Sequence, residues 1–157
     1  MHVVSSSHPR IVSSSHCCTL WVTFKNQDFG VPFDFRSYYN RSTTISFRTG
    51  VGDQAIWHIG KTLALHTRTS DYAFRYGGDE FAIILPDTDA AGGIELAERL
   101  RVKIENNPMH FEGVEIRLTV SMGVATYVGQ NDDATEMVQA ADARLYKSKK
   151  GGRNCVC

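Results

Sequence analysis

Beyond residue 50 the apolar positions recur with two periods, one helical and one strand-like, and turn residues separate the runs. Gly52-Asp53 opens the first, with the aspartate placed to cap a helix that buries Ala55, Ile56, Ile59 and Leu63. Strands are expected from Tyr72 to Arg75 and from Glu80 to Leu85, as central antiparallel neighbours joined by a glycine turn. Pro86-Asp87-Thr88-Asp89 reads as a turn that caps a second helix, in which Ile94, Leu96, Ala97, Leu100 and Ile104 keep helical spacing until Asn106-Asn107-Pro108 ends it. Ile116, Leu118 and Val120 alternate as a half-buried strand, and Gly123 marks a bend or a close backbone approach. Asp133-Ala134-Thr135-Glu136 has capping-box spacing, with aspartate in place of Ser or Thr, before a helix striped by Ala134, Met137, Val138, Ala141 and Leu145. Strand, helix, hairpin, helix, strand, helix is the order of an α+β fold.

Upstream the pattern is weaker. Leu20 to Phe24 has strand composition, as does Val31 to Phe35, although Pro32 would confine the latter to an edge. Either could be the first strand. Residues 38–48 keep neither period. The beginning of the chain is rich in serine and histidine, with Ser5-Ser6-Ser7-His8-Pro9 nearly repeated as Ser13-Ser14-Ser15-His16. These histidines invite a metal reading, but no periodic apolar face accompanies them, and solvated chain explains them better. Residues 1–30 are therefore expected to be divergent and poorly ordered, with a domain over 31–157.

Length and charge narrow the choice. The chain of 157 residues suits one domain with a real core rather than two. Its 17 basic and 17 acidic residues cancel, so no bulk attraction to nucleic acid or an anionic membrane is implied, and any anion site must be local. No apolar run has membrane-spanning length, and a soluble cytoplasmic protein is expected. Cys17, Cys18, Cys155 and Cys157 lack metal or redox spacing and read as free thiols.

The chemistry concentrates at Gly77-Gly78-Asp79-Glu80. Paired glycines between strands make a tight hairpin whose bare backbone a ligand can approach closely. The two adjacent carboxylates can converge on a divalent cation from a turn, as they could not from within a strand. An ordinary exposed acidic turn is the plainer alternative.

Arg75-Tyr76-Gly77-Gly78-Asp79-Glu80-Phe81 resembles the signature of the GGDEF domains, the diguanylate cyclases. The likeness runs from about Gly52 to Asn154 and includes Ala141-Asp142-Ala143-Arg144-Leu145-Tyr146-Lys147 and the Gly151-Gly152-Arg153-Asn154 tail, similar to the family's closing helix. The resemblance implies a ferredoxin-like, nucleotidyl-cyclase-type antiparallel sheet with helices packed on it. It also implies that two GTP are condensed into cyclic diguanylate and two pyrophosphates by a homodimer, with Mg²⁺ or Mn²⁺. It makes Asp79 and Glu80 the catalytic and metal-binding carboxylates, and gives Gly77 and Gly78 the backbone contact with GTP. Lys149 and Arg153 would hold its phosphates and Asp53 its guanine. Taken alone, the two basic residues are a helix end complementing its dipole, and Asp53 an N-cap. Arg68-Thr69-Ser70-Asp71 matches an Arg-x-x-Asp product-binding inhibitory site, with Arg99 as its further arginine; by itself the motif is a surface ion pair.

Upstream of about Gly50 the resemblance fails. At the family's usual spacing its first metal-binding aspartate would fall at Arg36 and its guanine-reading asparagine at Thr44. A guanidinium at a metal position repels the ion it should bind. Asp34 substitutes only if the alignment slips by two residues. The first strand and first helix are thus expected to be degenerate as a block. Codons for Asn40-Arg41-Ser42-Thr43-Thr44-Ile45-Ser46 in a shifted frame can spell Ser-Ile-Asn-Asp-His-Phe, the kind of sequence relatives have there, which points to a frameshift in the gene. Three readings follow: a cyclase domain with impaired turnover, an inactive receptor for cyclic diguanylate acting through Arg68, Asp71 and Arg99, and a frameshifted relic.

Overall fold

A computed structural model of the protein describes residues 17–24, 50–127 and 134–157. Within them the elements run β1 (Cys17–Phe24), α1 (Val51–His66), β2 (Tyr72–Gly77), β3 (Glu80–Pro86), α2 (Ala90–Glu105), β4 (Met109–Phe111), β5 (Val114–Ile116), β6 (Val120–Tyr127) and α3 (Ala134–Lys150). Four strands form an antiparallel sheet in the order β2-β3-β1-β6, while β4 and β5 pair separately as a short ribbon. The expected α+β architecture is present.

Sequence alternation sends the sheet's side chains to two cores. Phe81, Ile83 and Leu85 of β3, with Cys18, Leu20 and Val22 of β1, join the buried faces of α1 and α2. Ala82 and Ala125 on the opposite face pack against Met137, Ala141 and Leu145 of α3. The sheet is therefore the middle of three layers. Gly123 is required by the α3 side: a Cβ there would lie 2.1 Å from the Ala141 carbonyl oxygen and 2.3 Å from the Leu145 nitrogen. This is the close backbone approach that a glycine inside a strand signals.

Several expectations need correction. Of residues 1–30 only 17–24 are described, and they form β1 on the Leu20 to Phe24 run that composition offered, between β3 and β6 with Leu20 and Val22 fully buried. Val31 to Phe35, Asp34, Arg36, Thr44 and the capping box at Asp133 lie outside the described residues. β2, expected to be central, is an edge strand of the described sheet. The alternating run Ile116, Leu118, Val120 is not one strand: β5 ends at Ile116, β6 begins at Val120, and buried Leu118 lies between them.

Two helix details also differ. Asp53 is not the cap of α1; Gly50 is, without a side-chain bond, and Asp53 stands in the first turn with its N–H on the Gly50 carbonyl at 3.0 Å. The added residue Val51 packs against the core. Burying a valine side chain is worth up to about 1.5–3 kcal/mol, against about 1 kcal/mol for a cap. Ile94 of α2 is exposed, because Gly93 is the buried residue of that turn, and a Cβ on Gly93 would come within 2.3 Å of the Cys18 sulfur. The start of α2 is otherwise as expected, with the Asp89 carboxylate accepting from the Gly92 N–H at 2.8 Å. All four cysteines are free, and burial raises the pKa of the Cys17 and Cys18 thiols, keeping them protonated.

Candidate functional site at the glycine hairpin

β2 and β3 are joined by a two-residue loop, Gly78-Asp79, because Gly77 is already paired with Glu80. Gly78 takes φ 41°, the left-handed value that glycine adopts without strain at the first loop position. The register shifts between Arg75 and Gly77, a bulge that turns the tip away from the regular ladder. Arg75 holds the tip in place: its Nε donates to the Gly78 carbonyl at 2.7 Å, and its Nη2 reaches the same oxygen. Gly77 is informative in another way. It has no positive φ, and a Cβ built on it would meet nothing within 4 Å. The protein's own packing does not require glycine there, so the open space beside the backbone is available to a ligand.

The carboxylates of Asp79 and Glu80 are half-buried beside this tip. Lys149, in the last turn of α3, brings its Nζ to 4.0 Å from Glu80 Oε1. Both side chains are about one-third exposed, so the pair contributes at most about 1 kcal/mol to stability. Its significance is positional, because it puts a cation from α3 against the hairpin. Lys147 and Lys150 share that last turn and complement the helix dipole, but only Lys149 is paired with the hairpin among the described residues. Arg153 follows in an exposed turn, its N–H bonded to the Ser148 carbonyl at 3.0 Å. Asp53 is half-buried in the first turn of α1.

A two-ion metal centre needs carboxylates from more than one element. Among the described residues no three His, Cys, Asp or Glu side chains converge. The β1 residue in register with Glu80 is Thr23. With Lys149 also against Glu80, Asp79 and Glu80 do not fit a two-ion centre by themselves.

Arg68 and Asp71 close a turn at the entry to β2. The Arg68 N–H donates to Asp71 Oδ2 at 2.7 Å, and the Asp71 N–H returns to the Arg68 carbonyl at 3.0 Å. No ion pair joins the two side chains among the described residues, so the plain surface-pair reading fails, and Arg68 is exposed. Arg99 is exposed on α2.

Residues 46–155 match the family model described as diguanylate cyclase, GGDEF domain. The chain belongs to the GGDEF family. Diguanylate cyclase A of Treponema denticola is 38% identical over 105 residues, which are 67% of this chain and 28% of that protein. The response regulator PleD of Caulobacter vibrioides is 34% identical over 113 residues, 71% of this chain and 25% of that protein. The chain thus spans less than a third of either relative's length. The crystal structure of the GGDEF domain of DgcB from Caulobacter crescentus in complex with c-di-GMP matches with a TM-score of 0.72 at 26% identity, over 90% of this chain and 74% of that one. The structure of the active GGEEF domain of a diguanylate cyclase from Vibrio cholerae, at 22% identity and a TM-score of 0.70, shares the fold.

The sequence match of this GGDEF domain begins at residue 46, while β1 ends at Phe24. β1 therefore completes the GGDEF sheet from outside the matched region. Three features of the site were not legible beforehand. The Arg75 brace could have been suspected, since a donor three residues before a positive-φ glycine can reach its carbonyl. The pairing of Thr23 with Glu80, and of Lys149 with Glu80, depends on sheet register and helix docking, for which no local signal exists. Within the described residues no helix is long and apolar enough to cross a membrane.

Proposed function

We propose that this GGDEF domain binds GTP at the hairpin and is a diguanylate cyclase domain with impaired turnover. In the family reaction each GTP of a homodimer attacks the other: its 3′-oxygen bonds to the partner's α-phosphorus, the bond to pyrophosphate breaks, and the hydroxyl proton is lost. Bound Mg²⁺ or Mn²⁺ would neutralise phosphate charge during that exchange. The backbone at Gly77 and Gly78 lies against the nucleotide, Lys149 and Arg153 take the β- and γ-phosphates, and Asp53 accepts from guanine. Asp79 and Glu80 are the acidic groups of the site.

The observation that carries this reading is the 4.0 Å approach of Lys149 to Glu80, which sets a phosphate-binding cation beside the carboxylates and the open glycine backbone. The impairment rests on the described residues, among which Asp79 and Glu80 gather no third carboxylate and Thr23 is in register with Glu80. Binding is then weak and phosphate-driven. Incubating purified protein with GTP and Mg²⁺, then chromatographing the products, tests both parts. Cyclic diguanylate at or below detection, with measurable GTP binding by calorimetry, is expected. Robust product would overturn the impairment, and absence of GTP binding would overturn the site assignment.

A second reading, reception of cyclic diguanylate at Arg68, Asp71 and Arg99, is favoured by the exposed Arg68 side chain beside the ordered Asp71 turn. The similar DgcB domain was solved with c-di-GMP. An arginine fork and a carboxylate suit a guanine edge. The two readings use opposite ends of β2 and do not exclude each other.

A further inference from the structure

After α3 the chain runs through three consecutive residues with positive φ: Gly152 at 114°, Arg153 at 62° and Asn154 at 48°. Glycine and asparagine tolerate that region, whereas arginine is strained there. The turn is fixed on both flanks. Before it, the Gly151 N–H bonds to the Lys147 carbonyl at 2.8 Å; after it, the Met122 N–H bonds to the Cys155 carbonyl at 3.0 Å and the Val124 N–H to the Cys157 carbonyl at 2.8 Å, adding the tail to β6 on the side away from β1.

Between these flanks, α2 grips the amide of Asn154 at both ends. Asn154 Nδ2 donates to Glu105 Oε1 at 2.8 Å, and Arg101 Nη1 donates to Asn154 Oδ1 at 3.0 Å. Arg101 is itself held by Glu105 at 2.8 Å and Glu98 at 2.7 Å, with its side chain only 16% exposed. A left-handed helix stop needs only glycine. The donor and acceptor of an amide matched to a carboxylate and a guanidinium do more, because they fix the orientation of residue 154 and of the peptide joining it to Arg153. The hydrogen bonds to Asn154 and Arg101 hold Glu105 below the usual carboxylate range, so this grip is charged at neutral pH.

We propose that Asn154, clamped by Arg101 and Glu105, is a positioning residue for Arg153: it holds the strained turn in the one geometry that presents the guanidinium to a polyphosphate. The inference rests on the assignment of Arg153 as a phosphate ligand. A flexible arginine loses much rotamer freedom on binding, and a fixed backbone lowers the remaining cost.

The test is a double-mutant cycle on the full chain, reading affinity for inorganic tripolyphosphate in EDTA by calorimetry. Asn154→Gly keeps the left-handed backbone and deletes the amide, so it removes the clamp with little direct strain. Arg153→Ala is expected to weaken binding on the order of tenfold, the scale of a lost charge-assisted hydrogen bond. Asn154→Gly alone is expected to weaken it about fivefold, and the double variant to bind within about twofold of Arg153→Ala, because the clamp acts only through Arg153. Wild-type affinity in Asn154→Gly overturns the proposal, as does a full multiplication of the two losses in the double variant, which marks a merely structural latch. No loss in Arg153→Ala overturns the phosphate assignment and the inference with it. If Asn154→Gly does not fold, Glu105→Ala takes its place under the same criteria.

Discussion

Replacing Gly123 by alanine is the most direct test of how the sheet presents the site. The new Cβ would lie 2.1 Å from the Ala141 carbonyl oxygen and 2.3 Å from the Leu145 nitrogen, both backbone atoms of α3. Opening the shorter contact to 3.0 Å requires α3 to withdraw by about 0.9 Å, and a helix backbone cannot rotate aside as a side chain can. Overpacking of this kind costs about 1–3 kcal/mol. The withdrawal also stretches the buried bond from Ser148 Oγ to the Met122 carbonyl, now 2.7 Å, adding about 1 kcal/mol. Reduced freedom of the unfolded chain returns about 0.4–1 kcal/mol. A net loss of about 2–3 kcal/mol is expected, a fall in Tm of about 4–12 °C for a domain of this size.

The assay is urea and thermal unfolding of Gly123→Ala beside Gly77→Ala. At Gly77 a Cβ meets nothing within 4 Å, so that variant should stay within about 0.5 kcal/mol of wild type while weakening GTP binding. Because α3 also carries Lys149, Gly123→Ala should weaken GTP binding as well, through displacement of the cation from Glu80. A Gly123→Ala protein as stable as wild type would refute the close docking of α3 on β6.

Other expectations are independent of that contact. Arg68→Ala should weaken cyclic diguanylate binding by about 1–3 kcal/mol, read by calorimetry; equal affinities would reduce Arg68 to a surface charge. Glu105 has a pKa below its ordinary 4.5, so its stabilising contribution is present above that value and is lost as pH falls through the folded-state value. The Tm difference between wild type and Glu105→Gln should therefore narrow below about pH 4.5, and a constant difference down to pH 2 would contradict the charged grip on Asn154. Thr23→Asp puts a third carboxylate in register with Glu80 and should tighten Mn²⁺ binding on the order of tenfold; unchanged Mn²⁺ affinity would place β1 out of reach of the metal position.

What the sequence revealed and what it withheld divide along sequence separation. The hairpin was legible because its strands, turn and carboxylates are contiguous, and a two-residue loop depends almost wholly on local backbone chemistry. The buried stripe of Met137, Ala141 and Leu145 was legible because a helical face repeats within a few residues. The same periodicity misplaced Ile94, since no local rule states that α2 approaches β1 so closely that only Gly93 fits on the buried face. β1 was harder still. Leu20 to Phe24 had the composition of a strand, but composition does not select between two candidate strands, and the family spacing favoured the later one. What selects Cys17–Phe24 is simultaneous antiparallel pairing with β3 and β6, two partners far along the chain. That register bears directly on function, because it decides which residue is in register with Glu80. A count along the chain puts Arg36 at the metal position, whereas the sheet sets Thr23 in register with Glu80. Neither residue is acidic, and the proposed loss of turnover rests on that. The repair differs: Thr23→Asp should restore metal affinity if β1 carries the missing ligand, and Arg36→Asp should do so if the chain count is right.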